Sequence, residues 1–120
     1  MDKLMTEIVN NRKTEVPIDP QFIDRWSPRA FSSKPVEKEK LLSIFEAARW
    51  SPSCFNEQPW LFLYATNEED LKLFRSILVE KNQLWANKAP VLVYVFAKKF
   101  FAYNGKPNRW AEFDCGSAWM

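Results

Sequence analysis

The run Ser51-Pro52-Ser53-Cys54-Phe55-Asn56-Glu57-Gln58-Pro59-Trp60 constrains the fold more than any other stretch of this 120-residue chain. Pro52 lacks an amide hydrogen and crowds the preceding turn, so a helix arriving from upstream has to stop before it. From Trp60 to Ala65 the residues are almost all apolar, and the run is short, which predicts a buried strand. The chain must therefore pass from helix to strand through a stiff connector. That connector carries Ser53, Asn56 and Gln58, three neutral side chains able to hydrogen-bond a polar ligand. Two readings are open on these residues alone. One is a proline-rich turn whose Ser and Asn cap local backbone groups. The other is a rigid loop holding the polar edge of a flat cofactor beside Trp60.

Several function classes are excluded by what is missing. There is no histidine, which rules out Ser-His-Asp and Cys-His mechanisms and His-based metal sites. The two glycines, Gly105 and Gly116, cannot build a dinucleotide turn or a P-loop. Any phosphate-bearing cofactor must be held by charged side chains instead. Net charge is only +2, so no strong field points to nucleic acid. The cluster Lys98, Lys99, Lys106, Arg109 reads as a solvated loop. Cys54 and Cys115 have neither zinc spacing nor a disulfide framework, and are expected to stay reduced. The opening Met-Asp-Lys-Leu is no secretory signal, and no apolar run nears the roughly 20 residues of a membrane helix. A soluble cytoplasmic protein is the expectation. An apolar fraction of 47% supports one packed domain at most, burying roughly two-thirds of its unfolded surface.

Local patterns predict the elements. Residues 4–11 suit a short helix, ended by the two prolines within 15–20. Asp19-Pro20 suits a helix start, with the helix running to about Trp26. Residues 32–35 form a turn. The clearest helix begins near Glu37 and Glu39, whose charge favours its N-terminal dipole. Leu41, Leu42, Phe45 and Ala48 make its apolar face. After the strand at 60–65, Thr66 with Glu69 three residues on has the capping-box pattern. The helix it opens carries Leu71, Phe74, Ile77 and Leu78 on one face. A second strand is expected at 90–97, a loop at 98–109, and a last helix from about Trp110.

The residues Ser51-Pro52-Ser53, Asn56 and Gln58-Pro59-Trp60 resemble the "APSxxNxQPW" signature of the nitroreductase family of flavin-dependent oxidoreductases. Upstream, Arg25-Trp26-Ser27-Pro28-Arg29-Ala30-Phe31 resembles the family's "R-x-S-x-R-x-F" element, in the same order and at about the same spacing. Glu46-Ala47-Ala48-Arg49-Trp50 fits the helix between them, and Ala89-Pro90 with its apolar strand fits as well. The segment Phe113-Asp114-Cys115-Gly116-Ser117-Ala118 is similar to the opening of the family's central helix, "D-x-G-x-A". The resemblance covers residues 25 to 120, with 1–24 as an extension. It implies an α+β fold: a central, mainly antiparallel sheet flanked by helices. Family members run on well beyond this point, so the chain reads as the N-terminal portion of one incomplete domain.

The resemblance also implies a site. Arg25 and Ser27 match positions that meet the phosphate of flavin mononucleotide (FMN), where a guanidinium fork suits an anion. Arg29 matches the basic residue beside the N1–C2 edge of the flavin, where a cation stabilises the reduced anion and raises its potential. Pro52, Ser53 and Cys54 match the loop that packs on the flavin from the neighbouring subunit. Asn56 matches an amide supporting the same site, and Cys54 stands where a serine is common. Asn82, in Lys81-Asn82-Gln83, resembles a residue near the flavin pyrimidine edge, and reads equally as a helix-terminating asparagine. Gln58 and Trp60 match the same motif and read equally as structural, fixing the loop and filling the core, Trp60 more so. The implied activity is FMN-dependent transfer of hydride from NAD(P)H to nitroaromatic, quinone or related acceptors in a homodimer, with no catalytic nucleophile. A non-catalytic flavin-binding protein, or a piece that binds no FMN and serves only in dimerisation, stands as the alternative.

Overall fold

The computed structural model describes residues 11–120; the helix expected at 4–11 lies almost wholly outside them. The order is α1 (Pro20–Asp24), α2 (Lys38–Arg49), a single 3₁₀ turn (Cys54–Asn56), β1 (Trp60–Ala65), α3 (Glu68–Ile77), α4 (Glu80–Ala86), β2 (Leu92–Ala97) and α5 (Ala111–Trp119). This is an α+β architecture with an antiparallel sheet.

The sheet pairs β1 with β2, Trp60 opposite Ala97 and Ala65 opposite Leu92. Side chains alternate between faces along each strand. On one face Phe45 of α2 meets Phe62 and Tyr64 with ring centroids 5.6 and 5.2 Å apart. Helix α5 packs against both strands and against α2. On the other face lies α3, where Phe74 meets Tyr94 at a tilt with centroids 5.2 Å apart, and the Tyr94 hydroxyl donates to the Phe74 carbonyl at 2.9 Å. The described residues thus form three layers, with Ala65, Leu71, Ala111, Cys115 and Ala118 at the buried contacts. Among them no helix is long and apolar enough to cross a membrane.

Several local expectations are corrected. Helix α1 stops at Asp24 rather than Trp26, because Arg25 is already extended at ψ 130°. The cap of α3 is Asn67, not Thr66. Its Oδ1 accepts from the Asp70 amide at 2.9 Å, and its Nδ2 donates to the Asp70 carboxylate. An amide whose oxygen and nitrogen reach one bond further than a threonine hydroxyl closes both contacts at once. Leu42 lies off the packed face of α2, at 50% exposure, while Leu41 is buried. The two lie 100° apart around the helix, so Leu41 can face the packed side while Leu42 faces away. Strand β1 is not buried on both sides: Leu61, Leu63 and Tyr64 stay exposed, since the helices cover only part of a two-stranded sheet. Ile77 is exposed, and Leu78 is already extended. Strand β2 begins two residues later than expected, after Pro90. Asn82 sits in the first turn of α4, so it starts a helix rather than ending one.

Candidate functional site

Two groups of candidate residues emerge. The first is an extended arm, 25–31, that leaves α1. Its base is fastened by Arg12, whose Nη1 accepts nothing and donates to the carbonyls of Ile23 and Arg25 at 3.0 and 2.9 Å. Those carbonyls lie at the C-terminal end of α1, a helix of five residues. Beyond that anchor Arg25, Ser27 and Arg29 are all exposed. Neither Arg25 nor Arg29 makes an ion pair among the described residues. At its far end Phe31 stacks on Trp85, centroids 5.9 Å apart and planes at 27°. That stack joins the arm to α4, which carries the exposed Asn82.

The second group is the connector between α2 and β1. Pro52 and Asn56 are exposed; Ser53 and Cys54 are half-buried. Its backbone is unusual. Phe55, Asn56 and Gln58 have φ of 54°, 53° and 51°, all in the left-handed region. For a side chain as bulky as phenylalanine that costs about 1 kcal/mol or more, and such residues persist only where their surroundings over-determine them. Here the surroundings do so. The Ser53 hydroxyl accepts from the Gln58 amide at 2.9 Å, and the Ser53 carbonyl from the Asn56 amide at 3.0 Å. The Cys54 carbonyl accepts from the Glu57 amide at 3.1 Å. The Glu57 carboxylate accepts from the Ala102 amide at 2.6 Å, tying the connector to the loop after β2.

Helix α5 supplies the remaining ties. The Cys54 amide donates to Asp114 Oδ2 at 2.9 Å, and the Ser51 and Ser117 hydroxyls share a hydrogen bond at 2.7 Å. Asp114 is 6% exposed, a carboxylate buried in the first turn of α5, where the helix dipole favours it. Its neighbour Cys115 is buried against the sheet, and burial, then the nearby Asp114 and Glu112 charges, push its thiol pKa up. Phe55 is 78% exposed, yet its ring meets Phe101 edge-on at 6.0 Å and Tyr103 at 6.1 Å.

The structure therefore brings Pro52, Ser53, Cys54 and Asn56 into one turn, and joins the arginine-bearing arm to the helix of Asn82. No hydrogen bond or ion pair links the arm to the turn among the described residues. None of these candidates lines the apolar groove of about 660 Å³ between α2, α5 and the sheet, whose walls include Phe45, Trp50, Phe62, Val93 and Trp119. Sequence reasoning missed the tie from Asp114, the link from Glu57 and the Phe55–Phe101–Tyr103 cluster. Asp114 already stood in the segment similar to "D-x-G-x-A", and an acid followed by the small residues Cys115, Gly116, Ser117 and Ala118 is a candidate for a buried acceptor.

A model of the nitroreductase family matches residues 23–82. A Streptomyces coelicolor protein named as an NADH dehydrogenase/NAD(P)H nitroreductase is 34% identical over 71 residues, covering 59% of this chain and 35% of its own. An Archaeoglobus fulgidus protein of the same naming is 30% identical over 94 residues, covering 78% of this chain and 52% of its own. A solved structure described as an oxidoreductase containing FMN superposes with a TM-score of 0.84 at 48% identity, over 92% of this chain and 58% of that one. A nitroreductase family protein from Clostridium difficile 630 superposes at 0.61 with 23% identity, over 78% of this chain and 52% of its own, and shares the fold. The chain thus spans from about a third to under three-fifths of the length of these proteins.

Proposed function

The chain belongs to the nitroreductase family, and on that premise we propose that it carries FMN-binding residues of an NAD(P)H-dependent oxidoreductase acting on nitroaromatic, quinone or related acceptors. The observation that carries this reading is the donor set on the arm. Arg25 and Arg29 are two exposed guanidinium groups with no counter-ion among the described residues, spaced four apart around the hydroxyl of Ser27. Burial of an anion between them would satisfy both charges.

The residues present fit FMN chemically. Arg25 and Ser27 suit a phosphate, Arg29 suits an edge that gains negative charge, and Asn82 offers both a donor and an acceptor. Pro52, Ser53 and Cys54 offer an apolar surface with few polar groups, and Ser53 keeps its hydroxyl proton for donation because its oxygen accepts from Gln58. All eight candidates fall within the matched span 23–82. When bound, FMN would supply two-electron transfer between a nicotinamide and an acceptor. The protein's part is then to bind, orient and tune, with no nucleophile required.

We further propose a homodimer with flavin at the subunit interface. Its support is the exposed apolar surface, including Trp50, Leu84 and Trp119. The experiment is flavin retention: the chain is passed through gel filtration with excess FMN, and visible flavin absorbance and mass are read in the protein peak. Stoichiometric flavin in a dimer peak is expected, followed by NAD(P)H oxidation assays. Flavin without nicotinamide oxidation favours a non-catalytic flavoprotein. Oligomers without flavin refute the binding role and leave association alone.

A further inference from the structure

Helix α5 lies outside the matched span, yet it contributes a buried carboxylate that touches the candidate turn. Asp114 and Ser117 stand one turn apart on α5, and they hold Cys54 and Ser51, three residues apart on the connector. The two bonds therefore set both the position and the direction of the connector as it leaves Pro52. They differ in burial. Ser51–Ser117 is open to water, which can replace it, while the Asp114 carboxylate has almost no solvent access. A hydrogen bond from an amide to a buried carboxylate is strong, and leaving the two groups unpaired is costly.

The bonded amide belongs to Cys54, the residue directly before the left-handed run. Without that hold the run can relax toward ordinary backbone angles, and the relaxation would turn Ser53 and Cys54 away from their present direction. We propose that Asp114 is a positioning residue for the flavin-facing turn: it holds the Cys54 amide so that Phe55, Asn56 and Gln58 keep their left-handed conformation and Pro52, Ser53 and Cys54 present one surface to the flavin. This rests on the FMN reading above. Asp114 acts through Cys54 and touches no reactant itself.

The test compares wild type, Asp114→Asn and Asp114→Ala in the full chain. Two quantities are read: the rate at which a small maleimide labels Cys54 in flavin-free protein, resolved from Cys115 by peptide mass, and the Kd for FMN. Asparagine keeps an acceptor oxygen and alanine does not. Losing the bond should raise both quantities about tenfold in Asp114→Ala, as expected for one buried hydrogen bond, with Asp114→Asn close to wild type. Adding Gln58→Gly to Asp114→Ala should recover much of the FMN affinity, because glycine adopts positive φ at little cost. A role in stability alone leaves the labelling rate of Cys54 in folded Asp114→Ala equal to that of wild type. Equal labelling rates and equal Kd in wild type and Asp114→Ala overturn the proposal. Wild type that binds no FMN, while Asp114→Ala still frees Cys54, refutes the flavin reading and upholds the hold on the turn. If Asp114→Ala does not fold, hydrogen exchange on wild type decides: protection of the Cys54 amide is expected, and exchange at the unprotected rate overturns the proposal.

Discussion

Phe45 joins α2 to the sheet, and its removal measures how much that joint contributes. Its ring meets Phe62 at 5.6 Å and Tyr64 at 5.2 Å, both tilted by about 40°. Full truncation of a buried phenylalanine costs about 3–5 kcal/mol. Phe45 is only half-buried, which reduces the transfer part to about half. Each ring pair adds about 0.5 kcal/mol, partly counted already. The expected loss for Phe45→Ala is therefore about 2 kcal/mol. In urea, with a slope near 1.3 kcal/mol per molar for a chain of this size, the midpoint should fall by about 1.5 M. Leu42→Ala is the matched control on the same helix. Leu42 is half-exposed and makes no ring contact, so its loss should stay within about 0.5 kcal/mol. Unfolding is followed by far-ultraviolet circular dichroism. Equal midpoint shifts for the two variants would refute the assignment of the α2 face. So would a Phe45→Ala shift indistinguishable from zero.

Other outcomes can be checked in parallel. Asn67→Ala should cost about 1 kcal/mol in urea unfolding by removing the α3 cap, and Thr66→Ala should be nearly neutral. Arg29→Ala should weaken FMN binding roughly tenfold and lower the flavin potential, read by titration and spectroelectrochemistry; unchanged values of both sink the role given to Arg29. The Cys115 thiol has a pKa raised above 9.0 in the folded chain, so the stability it supports is whole below that value and lost as pH rises through the folded one. The urea midpoint should accordingly decline at alkaline pH, and Cys115→Ala should flatten that decline.

Helix ends and strand starts were largely legible in the residues. Pro52 does stop α2 within three residues, the apolar run from Trp60 is a strand, and Asp19-Pro20 does open α1. Each depends on groups a few residues apart, so the pattern is local. Errors arose where two local solutions compete. Thr66 and Asn67 are both good caps, and only the fitted geometry selects the second. Leu41 and Leu42 are both apolar, and only the direction of the sheet decides which one is buried.

The residues by themselves determined the family resemblance, which rests on motif order along the chain, and the α+β class and the candidate arginines are what that resemblance implies. The tertiary structure alone decided the shape of the turn. Three non-glycine residues at positive φ have no sequence signature, since each would relax if isolated. Besides the local bonds from Ser53, their neighbours Cys54 and Glu57 are tied to Asp114 and Ala102, 60 and 45 residues away in the chain. A bond across that separation exists only once α5 and the loop after β2 have packed beside the connector, and no local pattern encodes it.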